Sequence, residues 1–447
     1  MMKKKLSFRQ TILVASTLFG MFFGAGNLIF PVHLGQMAGR NVWGAVLGFI
    51  VTAVSIPILG VAAIGLTRSD DMRSVSSRVS RRYGYVFTCA LYLTIGPFFA
   101  IPRCATTSFT VGVSPLLGSG SQALGQLIFT LLFFGAVLFF SLRPSGIMTW
   151  IGRIINPVFL IFLSILVCKA LAAPGAAVAS VAPVESYESG AFFNGFIEGY
   201  GTMDAIAGLA FGVVVIDVIR SLGVTDPSDI ARETVRSGGF TALLMTLIYI
   251  LTILMGAQSR GLFDISENGG VALAQLSGHY LGNIGSIVLA LTITFACLKT
   301  AIGLVTSCAS IFVRMFPRTL RYNGWAILFT VFSACVSNVG LTALIRYSLP
   351  TLMLLYPLCI TLILLALCDK LFHGRRSVYV GVTTGAFIAA IFDFARTLPE
   401  SVIASLHLSP AISLAGRVLP FFSLGLGWVV PALIGLALGL FWPKKSA

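Results

Sequence analysis

The stretch from Phe22 to Pro31 puts Gly24, Gly26, Asn27 and Pro31 in the middle of an apolar run, Ile12 to Leu34. In a helix interior a glycine costs about 1 kcal/mol and a proline about 3. Pro31 also removes a backbone donor and crowds the preceding turn. Backbone groups freed at membrane depth are tolerated only where protein or a wet cavity satisfies them. The pattern fits a broken helix whose ends and unwound backbone face a site. It fits equally a kinked helix in which Gly20 and Gly24, spaced as GxxxG, let a neighbour approach.

A second unusual run lies between Phe196 and Gly208, with two carboxylates, Glu198 and Asp204, and Gly199, Tyr200, Gly201 and Thr202 between them. A lipid-facing helix would carry leucines there. A third run surrounds Lys299. On a helix Gly303, Thr306 and Ser307 (i, i+3, i+4) share a face, offering an unencumbered carbonyl and two hydroxyls. These are hard oxygen ligands for a small cation, although small residues also serve plain helix packing. Arg103, which follows Pro102 in a stretch that opens with Gly96-Pro97, is an ionisable group inside an apolar segment, as is Lys299. Such groups are costly in lipid and mark function unless they pair or snorkel.

These residues must be held by membrane-spanning helices. The 447 residues are 57% hydrophobic and 10% charged, against roughly 25% charged in soluble domains. Segments of about 20 apolar residues recur, the length a span needs. Twelve are expected: Ile12–Leu34, Val42–Leu66, Tyr85–Val113, Leu124–Leu142, Ile147–Leu171, Phe193–Ile219, Phe240–Ala257, Ile284–Phe312, Trp325–Val339, Leu341–Leu367, Val378–Phe394 and Phe421–Trp442. Gly44 and Gly48 suit close approach in the second, and Asn156-Pro157 should bend the fifth. Val271–Leu276 reads as a short amphipathic helix on the outer face.

The net charge of +15 is a topological signal rather than a nucleic-acid footprint. With the N-terminus inside, alternate loops collect Lys3, Lys4, Lys5 and Arg9, then Arg68 to Arg82, Arg143 and Arg153, Arg220 to Arg236, Arg314 to Arg321, Lys370 to Arg376, and Lys444 and Lys445. Only Arg40, Arg103, Lys169, Arg260, Lys299, Arg346, Arg396 and Arg417 fall elsewhere. This is the positive-inside bias, and it puts both termini in the cytoplasm. The eight cysteines have no CxxC spacing and fall in or beside apolar segments, so neither a disulfide framework nor a zinc site is expected. The four histidines are scattered, with no HExxH, GxSxG or GxxxxGK[ST] pattern, so an intramembrane enzyme or a nucleotide-driven pump lacks its parts.

The first and sixth spans each open a block of five. Broken helices in corresponding positions of two halves point to a transporter site built on inverted repeats. The expected architecture is all-α and polytopic: a first repeat over residues 1–172, a second over 173–372, and two additional helices over 373–447.

The run Phe19 to Pro31 resembles the signature of the bacterial branched-chain amino acid transporter family, the leucine, isoleucine and valine cation symporters. Glu198 to Ala205 and Cys297 to Ser307 are similar to its sixth and eighth helices, and the likeness covers essentially the whole chain. The resemblance implies a five-plus-five inverted-repeat fold like that of the sodium-coupled neurotransmitter transporters, followed by two helices. Gly24 and Gly26 would offer amides to a substrate carboxylate. The carbonyls of Gly20 and Phe23, with Gly303, Thr306 and Ser307, would match one sodium site, and Asn27 a ligand of a second. Two positions depart from the pattern. Val32 stands where a second proline is usual, and Lys299 where an uncharged residue is usual.

The expected function is cation-coupled import of Leu, Ile or Val across the bacterial inner membrane by alternating access. The substrate set is Gly24, Ala25, Gly26, Asn27, Tyr200, Thr202 and Asp204. The ion-binding or coupling set is Gly20, Phe23, Asn27, Asp204, Lys299, Gly303, Thr306 and Ser307. Lys299 lies one turn, about 6 Å, before Gly303; it would stand in for sodium, pair with Asp204, or carry the coupling proton, rather than snorkel. No cofactor is expected beyond Na+ as coupling ion, and the partners are the amino acid and membrane lipid, with no nucleic acid and a monomer sufficing. Rival readings are a proton-coupled permease of broader apolar range and, in another class, an ion channel.

Overall fold

The computed structural model describes residues 5–67, 72–143 and 147–442, with backbone alone at 119, 147–156 and 213. Lys3, Lys4, Arg68, Lys444 and Lys445 lie outside the described residues, as do the side chains of Arg153 and Asn156. Among the described residues all regular structure is helical. Seven helical stretches are long and apolar enough to cross a membrane: Gly26–Leu66, Arg81–Leu116, Gln122–Leu142, Pro227–Gly261, Gly269–Met315, Leu341–Leu367 and Arg376–Arg396. Pro157–Ala172, Tyr322–Ser337 and Val429–Phe441 are apolar but shorter.

The first apolar segment is two half-helices. Phe8–Phe22 starts on a capping box, in which the Ser7 hydroxyl accepts from the Gln10 amide and the Gln10 side chain accepts from the Ser7 amide. It stops where Phe23 turns extended (ψ 102°). The chain resumes helix at Gly26–Ala38. The break thus falls at Gly24 and Ala25, and Pro31 sits inside the second half rather than at the interruption.

The sixth segment is interrupted as well. Glu185–Glu198 passes into a tight turn over Gly199–Thr202. Met203 then adopts the left-handed region (φ 64°), and helix resumes as Asp204–Ser221. Residues of the second span hold this break in place. Val51–Ser55 widens there into a π-turn, and Thr52 Oγ1 donates to the Phe196 carbonyl at 2.8 Å. Below it the two helices cross backbone to backbone. A Cβ on Gly48 would collide with the Phe192 carbonyl, and one on Gly195 with that of Ala45.

The third segment carries its own irregularity, a π-turn over Thr94–Phe98 in which Gly96 leaves helical geometry, before Ala100–Gly112. The eighth, Gly269–Met315, is divided at Gly282 (φ 64°), so the short helix expected at Val271–Leu276 extends over Gly269 to Leu281. The twelfth apolar segment has one 3-10 turn at Phe422–Leu424 and is α-helical only from Val429 to Phe441. Phe421 and Gly425 take positive φ, which ends any helix begun at the expected start.

Candidate functional site

The two breaks meet through side chains. Asn27, on the first turn of Gly26–Ala38 and 2% exposed, accepts from the Gly24 amide through Oδ1 at 2.9 Å. Its Nδ2 donates to Asp204 Oδ2 at 2.5 Å and to the Tyr249 hydroxyl at 2.5 Å. Asp204, equally buried, opens the second half of the sixth segment, and its own amide donates to Thr202 Oγ1 at 3.3 Å. Thr202 Oγ1 in turn donates to the Gly199 carbonyl at 2.9 Å. A buried carboxylate is costly unless hydrogen-bonded, and here the first broken helix and Tyr249, from the helix Pro227–Gln258, supply its partners.

A small cavity of about 40 Å³ opens beside the junction, room for about three waters at the ~10–15 Å³ that each requires. Gly24, Ala25, Gly26, Asn27, Thr202 and Asp204 line it, with Arg103, Cys104 and Thr300. Met21, Phe22, Ile95, Ala207, Phe211 and Leu304 give it an apolar wall. The amides that head Gly26–Ala38 have no partner within their own helix, and a helix N-terminus with open amides attracts an anion. The Asp204 carboxylate lines the same cavity. The cavity thus offers amide donors, one carboxylate and an aliphatic surface, and no nucleophile–base pair.

Arg103 stands behind the sixth-helix break. Its guanidinium donates to the Gly201 carbonyl at 2.5 Å and the Thr202 carbonyl at 3.4 Å, and lies 5.3 Å from the centre of the Phe30 ring. These carbonyls end the first half of the sixth segment, where helix geometry leaves acceptors open and the dipole favours a cation.

Six of the seven residues expected to bind substrate therefore line one cavity. Tyr200 lies outside it. Its ring stacks on Tyr356 at 4.0 Å and meets Phe196 edge-on at 5.6 Å. The Asn27 amide oxygen, expected as an ion ligand, accepts from the Gly24 amide and keeps one lone pair free of that bond. Phe23 packs its ring among Phe19, Tyr249 and Phe159, and Gly20 is half-buried.

The eighth segment is rotated away from the expected orientation. Thr300 and Leu304 face the cavity, and a Cβ at Gly24 would lie 3.5 Å from Thr300 Cγ2. At 100° per residue this turns Lys299, Gly303, Thr306 and Ser310 onto another stripe. Gly303 and Ser310 are exposed there, Lys299 and Thr306 half-buried, and open space surrounds the Gly303 Cα on its side-chain side. Ser307 stays near the face of Thr300, half-buried. The pairing of Lys299 with Asp204 is not formed. No ion pair joins them among the described residues, since Asp204 is enclosed by Asn27 and Tyr249 while Lys299 points off the cavity.

Tyr249 and Thr300 escaped sequence reasoning. A single phenol in the apolar run Leu243 to Met255 is the one signal that pointed to Tyr249, since a buried tyrosine seeks a partner for its hydroxyl.

Residues 7–446 match a family described as branched-chain amino acid transport protein. The chain is 49% identical over 98% of its length, and 97% of the relative's, to the branched-chain amino acid permease BrnQ of Lactobacillus delbrueckii subsp. lactis. It is 40% identical over the full length of both chains to BrnQ of Bacillus subtilis. Among solved structures it resembles the inward-facing conformation of Mhp1 (TM-score 0.62, 14% identity, 97% of this chain and 90% of that one). It also resembles MhsT in complex with L-phenylalanine (TM-score 0.52, 16% identity, 98% of each chain). These structures share its fold.

Proposed function

The chain belongs to the family of branched-chain amino acid transport proteins, and from that premise we propose that its broken-helix junction binds a branched-chain amino acid and moves it across the bacterial inner membrane with a cation. The observation that carries this reading is the cavity itself. The amides at Ala25 and Gly26, where the second half-helix begins, suit the substrate carboxylate, the Gly24 amide being held by Asn27. Asp204 suits the ammonium group, and Phe22, Ile95, Phe211 and Leu304 suit an aliphatic side chain. One methylene changes pocket binding by only about 1–3 kcal/mol, so leucine, isoleucine and valine compete. The cavity holds far less than an amino acid, so binding widens it and alternating access follows from relative movement of the helices that meet at Asn27 and Asp204.

The architecture behind this is twelve spans in two inverted repeats, 1–172 and 173–372, with 373–447 as accessory helices and both termini cytoplasmic. The two interrupted segments support it, being the first and sixth of the apolar runs. For the coupling cation we retain the carbonyls of Gly20 and Phe23 and the hydroxyl of Ser307, with Gly303 and Thr306 reaching it only if the eighth helix turns during the cycle. The test is uptake of labelled leucine into proteoliposomes under an imposed sodium or proton gradient. Accumulation driven by one gradient supports the reading; flux that never exceeds equilibration would leave a channel.

A further inference from the structure

The cavity contains a buried cation that no carboxylate contacts directly. Arg103 is 4% exposed and lines the cavity. Among the described residues no carboxylate comes within the 4.0 Å of an ion pair with its guanidinium. Two of its hydrogens go to the neutral carbonyls of Gly201 and Thr202, and Nε is buried without a partner. A buried charge lacking an ionic partner is costly, and the helix-end carbonyls offset only part of that. The guanidinium also borders the first break: a Cβ on Gly26 would lie 2.8 Å from its Nη2. The amides that head Gly26–Ala38 and the guanidinium thus converge on one spot, both favouring negative charge. Asp204 provides the opposite charge on the same cavity.

Resting on the amino acid reading above, we infer that Arg103 is the specificity-determining residue for the substrate carboxylate, completing with Asp204 a fixed pair of charges that selects zwitterions. The helix amides provide directional donors, and Arg103 provides the full charge that separates a carboxylate from a neutral amide. A ligand with the side chain and ammonium group of leucine but no carboxylate leaves the cation unpaired. It is rejected for the same reason that sites built on buried polar groups reject analogues lacking a partner.

The experiment measures binding of leucine and of leucinamide to the purified full-length protein, wild type, Arg103→Gln and Arg103→Lys, by competition against labelled leucine. Arg103→Gln should weaken leucine by roughly 100-fold, within the range for truncating one partner of a buried charge pair. Leucinamide should change little, so the discrimination between the two collapses. Arg103→Lys, which keeps the charge, should retain most of it. If Arg103 only caps the sixth-helix break, leucine and leucinamide weaken by the same factor, and the inference is overturned. Unchanged discrimination in Arg103→Gln overturns it too. Should Arg103→Gln fail to fold, Arg103→Lys decides: discrimination as low as that expected without a charge refutes the assignment. Absence of leucine binding to the wild type would instead refute the amino acid reading itself.

Discussion

Asn27 and Asp204, 177 residues apart, share a 2.5 Å hydrogen bond that joins the two interrupted helices at their breaks. Asn27 is fixed from the other side by the Gly24 amide, so displacement of the unwound backbone at Gly24 is felt at Asp204. A ligand that seats on the open amides therefore acts on both halves of the junction at once. This gives alternating access a physical linkage between the first and sixth segments.

Asp204→Asn removes the charge and leaves an oxygen that still accepts from Asn27. The N-cap of this helix is Met203, with no side-chain cap hydrogen bond, so the helix start is unaffected. A role in holding the substrate ammonium or a coupling cation does not survive the change. Leucine uptake should fall at least tenfold at unchanged membrane abundance, the fold-change of about 1.4 kcal/mol. Wild-type uptake by this variant would show that the Asp204 charge serves neither.

Tyr249→Phe keeps the ring packed edge-on against Phe49 at 5.1 Å and removes only the hydroxyl that Asn27 meets. One hydrogen bond contributes about 1 kcal/mol net, so leucine affinity should drop about fivefold. Binding to the detergent-solubilised protein measures this, and an unchanged affinity would show that Asn27 does not need its second acceptor.

The breaks were legible because their residues are expensive where they stand. Gly24, Gly26 and Asn27 in one apolar run, and Asp204 among glycines in another, have no reason to persist in a lipid-facing helix. Arg103 was visible as a misplaced charge, though not its partners at Gly201 and Thr202, which depend on how the third and sixth segments pack. The eighth segment shows the limit more sharply. Periodicity groups Gly303, Thr306 and Ser307 on one face, but packing against neighbours decides whether that face or the one carrying Thr300 and Leu304 points inward. Tyr249 and Thr300 belong to residue types common in membrane helices, so nothing in the chain singled them out strongly.

Lys299, itself half-buried, shares a stripe with the exposed Gly303 and Ser310 and the half-buried Thr306, away from the cavity. A lysine so placed extends its stem along apolar surface and leads its ammonium toward water. Lys299→Thr should then alter leucine uptake by less than twofold and leave its sodium dependence unchanged. A marked gain of sodium dependence in that variant would restore the role expected from the sequence, in which the ammonium replaces the ion.

Gly24 and Gly26 stand two residues apart and should respond differently to the same substitution. A Cβ on Gly24 meets Thr300 Cγ2 at 3.5 Å, an ordinary contact. A Cβ on Gly26 lies 2.8 Å from Arg103 Nη2 and 3.3 Å from Thr202 Cα. The guanidinium cannot withdraw freely, because the Gly201 and Thr202 carbonyls hold it, and Thr202 Cα is backbone. Gly24→Ala should therefore keep leucine uptake within about threefold of wild type, while Gly26→Ala should lower it at least tenfold; these correspond to about 0.7 and 1.4 kcal/mol. Gly26→Leu should abolish uptake with membrane insertion intact, since its bulk fills the space in front of the amides. Initial rates normalised to protein abundance in the membrane test all three, and a Gly26→Leu variant with undiminished uptake would remove the carboxylate from this end of the helix.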